Sequence, residues 1–403
     1  MNRLKIPGTI VVLLVLAGVL LLRGFTAGPA HASATPTCAW TLVPSQDPST
    51  STTVYASVAV ASNDVWMVGS FVNHGTSGPF LQTLAERWNG TAWQVVASSN
   101  PGAGLNALLA VARIPGGGLW AVGYMSNTTN GPRLDQTLIE RWNGKRWQVV
   151  PSPNVGQDNN DLDGVVALSS TDAWAVGSYG SPGTSNPGQT LIEHWDGTQW
   201  SVIPSPNPSP TDNVLHAIAA SSASDLWAVG YQRPEFGGQS SATLTLHWDG
   251  TQWSVVPSQS PGSYDNGLGG IAIVSPTSIW AVGSTSNNGP TQTLIEHWNG
   301  TQWSVVSSPD PGSSVDALSG VVALGINNAW AVGYYVVGNN PGQTLTLHWN
   351  GTAWKVVSSP NGGTDYNLLD TVTHVPGTGQ LWAMGSHFVP GTDQEASLAL
   401  FRC

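Results

Sequence analysis

The sequence predicts an all-β fold, a seven-bladed β-propeller with four antiparallel strands per blade, and three observations carry that prediction. A segment close to Trp-Ala-Val-Gly recurs seven times, with its tryptophans at Trp66, Trp120, Trp174, Trp227, Trp280, Trp330 and Trp382. A second element, Gln-Thr-Leu-Ile-Glu-His-Trp-Asn-Gly-Thr-Gln-Trp at 292–303, has a counterpart in each of the first six units. The last unit stops at Cys403, inside its third strand. Four short strands repeated about every 50 residues are the pattern of propeller blades. That repetition overrides the two or three domains that 403 residues would suggest.

The sixth unit illustrates the strands. An apolar run at 320–324 is the first, 329–333 the second, 344–349 the third and 354–358 the fourth. Turn-rich stretches such as Ser-Pro-Asp-Pro-Gly at 308–312 separate successive units. Asn-Gly or Asp-Gly between strands three and four predicts a two-residue type I′ hairpin. That turn would put Glu296, Trp298, Thr301 and Trp303 on one sheet face. Composition agrees: 20 Trp, 47 Gly, 28 Pro and only 9% charged residues suit many short strands rather than helices.

The chain ends complete the argument. Residues 38–45 align with the fourth strand of the sixth unit at 352–359, so the N-terminal strand is expected to complete the last blade. Cys38 and Cys403, the only cysteines, then fall where a tight turn would hold them close enough to bridge. An exported chain is expected to oxidise such a pair.

Residues 1–34 read as an export signal, leaving 35–403 as the propeller. Arg3 and Lys5 precede an apolar stretch from Ile10 to Leu22, and A-x-A cleavage sites lie at 30–32 and 32–34. An uncleaved anchor is the alternative. The expected location is therefore extracellular, with no membrane contact after cleavage and a monomeric state. The formal net charge is −11, and Lys145 and Lys355 are the only lysines after Lys5. Phosphate-backbone binding needs clustered cations, so nucleic acid is excluded as a partner.

The Trp-Ala-Val-Gly strand and the paired tryptophans resemble secreted bacterial propellers of the kelch-like type. The resemblance covers nearly everything after residue 38. Kelch repeats proper end the second strand in Gly-Gly, whereas this chain has one glycine, as at Gly177 or Gly283. The Trp-Asp-Gly hairpin is also similar to the Asp-box of sialidase-type propellers, with different spacing. The resemblance implies the fold and transfers no activity.

Candidate ligand-binding residues come from the face that carries long, dissimilar loops. A polar residue recurs before each inner strand, as Thr53, Asn106, Asn160, Asn213, Asn266, Asp316 and Asn367. It is expected either to cap the loop or to ring the channel mouth. Arg133, Arg233, Tyr335 and His387 lie on the loops of the same face, as do Glu235 and Phe236. Asp163, Asp370 and Asp316 are the acids nearest the inner strands, with His216 a candidate base. Asn159-x-Asp161-x-Asp163-Gly164 matches the start of a calcium loop, but Ser170 holds the place of its final glutamate. His194, His247, His297 and His348 recur one per unit, which favours a structural role over a metal site. No cofactor is expected.

Two function classes remain. The leading expectation is a non-catalytic module that presents the loop-rich face to a glycan or an extracellular protein. The alternative is an extracellular glycoside hydrolase or lyase using acids at the channel mouth, which needs paired carboxyl groups.

Overall fold

The computed structural model describes residues 38–75, 80–128, 134–155, 159–180, 187–234, 240–389, 391–392 and 394–403. Residues 1–37, and with them the expected export signal, lie outside the described residues. So do Arg133, Glu235 and Phe236. The described chain is all β-strand and connecting loop, with no helix among the described residues.

Its 28 strands form repeated four-stranded antiparallel units. Five are separate sheets, and two join through one parallel pairing of Thr291 with Val315. The innermost strands, in chain order, are Thr52–Ala61, Leu105–Arg113, Asn159–Ser169, Asp212–Ser222, Asp265–Ser275, Val315–Gly325 and Asn367–His374. Each packs against the next, and the last returns to the first.

Tryptophans hold neighbouring units together. Trp66 of the first unit meets Trp142 and Trp147 of the second, the latter edge-to-face at 5.6 Å. The same triplet recurs as Trp120 with Trp195 and Trp200, Trp174 with Trp248 and Trp253, Trp227 with Trp298 and Trp303, and Trp280 with Trp349 and Trp354. Edge-to-face pairs contribute about 0.5–1.5 kcal/mol each beyond the area they bury.

The chain ends close the ring with the same parts. Thr41 and Leu42 pair antiparallel with Phe401 and Leu400, completing the last sheet. Trp40 packs edge-to-face on Trp330 at 5.7 Å. Arg402 stands where other units carry the second tryptophan, and its guanidinium lies 4.6 Å above the Trp330 ring. Trp382 in turn meets Trp88 and Trp93 of the first unit. A hydroxyl pair between strand three and the loop leaving strand four also recurs, from Thr83–Ser98 at 2.6 Å to Thr344–Ser359 at 2.8 Å. In the last unit it is Ser397–Ser45 at 2.5 Å, with Asp47 accepting the Ser397 amide. The Cys38–Cys403 disulfide, Cα–Cα 5.2 Å, ties the two ends.

The hairpin between strands three and four differs from the expected type I′ turn. Trp298 pairs with Trp303, which leaves four residues in the loop. Only the glycine has positive φ, as at Gly300 (93°), because the Asn299 side chain does the rest of the turning. Its Oδ1 accepts the Thr301 and Gln302 amides. The register therefore sets Trp298 opposite Trp303, not opposite Thr301.

A buried glutamate links some neighbouring units. Glu86 accepts the Gln46 amide, Glu140 the Ser99 amide and Glu296 the Gln259 amide, each N–H coming from the loop of the preceding unit. Where that loop position is Pro206, Pro309 or Pro360, no N–H exists, and the facing slot holds Leu246, Leu347 or Leu400. Glu193 breaks the rule. It faces the position of Pro153, is fully buried, and neither carboxyl oxygen has a partner. Burial pushes its carboxyl up to about 8.

An unpartnered buried polar group costs about 1–3 kcal/mol, so Glu193→Leu is expected to raise unfolding free energy by about that amount near neutral pH. The folded carboxyl binds its proton more tightly than the unfolded one. Its stabilisation is therefore fullest in acid and is lost as pH rises toward 8. The advantage of the leucine variant should accordingly widen from acid to pH 8 in denaturant melts. Glu140→Leu strands the Ser99 N–H and should be less stable than wild type in acid, the deficit narrowing as pH rises toward 7 because the Glu140 carboxyl is itself raised. A Glu193→Leu variant less stable than wild type at pH 8 would refute the account.

Candidate functional site

Each inner strand carries a β-bulge near its start, where one residue has no register partner on the second strand. The seven bulged residues are Tyr55, Leu109, Asp163, His216, Gly269, Ser319 and Asp370. All seven line one central cavity of about 260 Å³. A bulge redirects the side chain of its extra residue. One repeated backbone irregularity thus delivers seven non-equivalent side chains to the same opening.

The ionisable groups in this ring are confined to four of them. Asp370 is half-buried, and its Oδ2 is buried without a hydrogen-bond partner. Burial, reinforced by the Glu395 carboxylate, pushes its carboxyl up to about 8. Asp163 Oδ2 lies 3.6 Å from His216 Nδ1. The His216 ring packs 5.6 Å from the Tyr231 ring, centroid to centroid. Burial also raises the Tyr55 phenol, with Glu395 and Asp370 adding to it and hydrogen bonding to Ser70 opposing it. Glu395 itself accepts the Thr53 hydroxyl at 2.7 Å, across the junction between last and first units. The ring therefore presents an acid of raised proton affinity on one unit and an Asp–His pair on two others.

The polar residues before the inner strands do not join this ring. Asn106, Asn160, Asn213, Asn266, Asp316 and Asn367 are at most 2% exposed. Their side chains clamp the incoming loop. Asn106 accepts the Gly102 amide and donates to the Gly102 carbonyl, and Asn213 does the same with Ser209. Asn160 accepts from Val155, Asn266 from Gly262, Asp316 from Gly312 and Asn367 from Gly363. The capping role holds, and the ligand-binding assignment of these six is corrected, because their polar atoms face backbone rather than solvent. Burial lifts the Asp316 carboxyl to about 6, but that residue occupies the clamp slot and not the bulge. In the first unit the equivalent residue is the fully buried Thr52, not Thr53. The bulge aligns Tyr55 with Asp163, which shifts the count by one.

Of the remaining candidates, Arg233 forms an ion pair with Asp212 at 3.3 Å and lies over the Tyr231 ring. Tyr335 sits opposite Asp316, and His387 opposite Asn367. Both are half-buried at strand ends outside the central cavity. The calcium motif is not a loop. Asn159, Asp161 and Asp163 lie on a strand paired to Asp172–Gly180, and no cluster of three metal-ligating side chains occurs among the described residues. His194 and His247 cap the tight-turn face instead, bonding Asp172 and Asp225 and stacking on Trp174 and Trp227.

No family model matches this chain, and no curated protein does. Solved structures do match. The chain is similar to YCF48 bound to a D1 peptide, at 14% identity and TM-score 0.50, over 90% of this chain and 94% of that one. It is similar to a GH74 xyloglucanase from Xanthomonas campestris, at 11% identity and TM-score 0.53, over 89% of this chain and 55% of that one. It is also similar to an ulvan lyase of polysaccharide lyase family PL25, at 9% identity and TM-score 0.53, over 87% and 93%. At these identities the likeness establishes the fold: the chain is a β-propeller. Two of these neighbours are carbohydrate-active enzymes, so the fold lends no support to the expectation of a scaffold without catalysis. The same architecture carries a glycoside hydrolase and a polysaccharide lyase; here the central cavity holds Asp370, whose carboxyl burial raises, and an Asp163–His216 pair.

The clamp residues are testable directly. Asn106→Ala leaves the Gly102 amide and carbonyl buried without partners, which is expected to cost about 1–3 kcal/mol in denaturant unfolding. A variant as stable as wild type would show that the residue is not a clamp.

Proposed function

We propose that this protein is an exported, seven-bladed propeller that hydrolyses a neutral polysaccharide at the mouth of its central channel. The observation that carries the reading is that one cavity is lined by two carboxyls in unlike settings, Asp370, which burial raises, and Asp163, which faces His216. Glycoside hydrolysis needs this asymmetry, one group to give a proton and one to take one.

In this reading Asp370 protonates the glycosidic oxygen as the bond from that oxygen to the anomeric carbon breaks. A water oxygen bonds the anomeric carbon from the opposite face and passes its proton to Asp163. His216 steadies the Asp163 carboxyl. The two acids stand on the third and seventh units, and inversion at the anomeric carbon requires them to be far enough apart to hold that water between them. The bonds to ligand hydroxyls would come from Tyr55 and Ser319.

Hydrolysis is favoured over elimination by charge. A lyase must neutralise a uronate carboxylate, yet the cavity lining contains no Lys or Arg, and the Asp163 carboxylate would repel an anionic polymer. The disulfide supports export to an oxidising compartment.

Purified protein incubated with neutral polysaccharides should release reducing ends without the ultraviolet absorbance of a new C=C bond. Asp370→Asn should lower the rate by about 10²–10⁴-fold. Wild-type activity should fall as pH rises through about 8, because the acid then loses its proton. Full activity in the asparagine variant, or unsaturated products only, would contradict the assignment.

A further inference from the structure

A second cleft opens beside the central ring, between the fourth and fifth units. It has a volume of about 190 Å³ and is lined by Tyr231, Arg233, Ser241, Asp265, Gly267 and Ser284. Its origin is a missing side chain. The inner-strand position two before the bulge is Thr53, Ala107, Asp161, Val214, Ala317 or Leu368 in the other units, but Gly267 in the fifth. A Cβ built there meets nothing nearer than the Tyr231 Cβ at 3.9 Å. Ser284, the residue after Gly283 on the neighbouring strand, is also small and opposes Gly267 in register.

The wall is aromatic and held in place. The Tyr231 ring has the Arg233 guanidinium 5.2 Å from its centroid, and Asp212 anchors that guanidinium from its other side. Ser241 hydroxyl bonds Asp265, an exposed carboxylate at the rim. A flat ring flanked by a fixed guanidinium, a carboxylate and a hydroxyl matches a sugar, which offers an apolar C–H face and a girdle of hydroxyls. The Tyr231 ring lies 5.6 Å from that of His216, and His216 faces Asp163, so the cleft adjoins the central ring through these side chains.

We infer that this cleft is a secondary subsite that binds one neutral glycosyl unit of a chain whose scissile bond lies over the central ring, with Tyr231 as its stacking platform. The inference rests on the proposed glycan-directed function and specifies its substrate as a polymer rather than a terminal sugar.

The test is calorimetric titration of the inactive Asp370→Asn protein with xyloglucan oligosaccharides and with arabino-oligosaccharides of increasing length. Affinity is expected to step up once the chain is long enough to reach the cleft. Adding Tyr231→Ala should remove that step, a loss of roughly 3- to 10-fold. Gly267→Leu, which puts in the side chain that the seventh unit carries as Leu368, should remove it without touching the aromatic wall. Unchanged thermal melts would exclude misfolding as the cause. If affinity rises with length equally in all three proteins, the subsite is wrong while the hydrolase reading stands. If the step is present and lost in both variants but wild type cleaves no polysaccharide, the subsite stands and the hydrolase reading fails. No binding of any oligosaccharide overturns both.

Discussion

The packing of one tryptophan against a pair from the next unit is the contact on which the rest of the structure depends. A four-stranded sheet with two apolar faces has no stable existence alone, because both faces must be covered. Here each sheet is covered by its neighbours, and the cover is an aromatic triplet repeated around the ring. Such an arrangement has two loose ends by construction. The protein removes them by giving its first strand to its last sheet, where Trp40 and Arg402 rebuild the triplet on Trp330. The disulfide then shortens the unfolded ensemble around that junction.

A ring held this rigidly can tolerate irregularity at its centre. The bulge costs ladder hydrogen bonds in every inner strand, and the clamp residues just before it restore order to the incoming loop. What results is an opening whose seven positions carry different side chains. Leucine, glycine and serine fill three of them, and Tyr55, Asp163, His216 and Asp370 fill the other four. The same low-polarity interior that raises Asp370 also raises Glu86, Glu140, Glu193 and Glu296. A raised carboxyl is therefore not in itself a mark of function in this protein. What separates Asp370 is its position on the wall of an open cavity rather than between sheets.

The fold was legible in the sequence because its determinants are local and repeated. The tryptophan positions, the strand order, the borrowed N-terminal strand and the cysteine pair can all be read from one unit laid on another. The site was less so. Asp163, Asp370 and His216 stand out as rare polar residues at one point of the repeat, and Asp163 aligns with Gly269 and Ser319 in plain comparison. Tyr55 was hidden because Thr53, rather than Thr52, was matched to the asparagines, an error that only the bulge register removes. The asparagines misled for the opposite reason. A residue repeated at every inner strand does a job common to all strands, which is to hold the loop, whereas a binding site is built from what differs. The pairing of glutamate with N–H and leucine with proline was invisible because it runs between units, across separations of about 40 residues.

The most direct test is a crystal structure of the Asp370→Asn protein with a bound neutral oligosaccharide. The account predicts seven radial sheets, residues near 40 paired with residues near 400, and a glycosidic oxygen within hydrogen-bond reach of residue 370 with Asp163 on the far side of the sugar. A sugar seated away from the central ring, or chain ends lying apart, would contradict it.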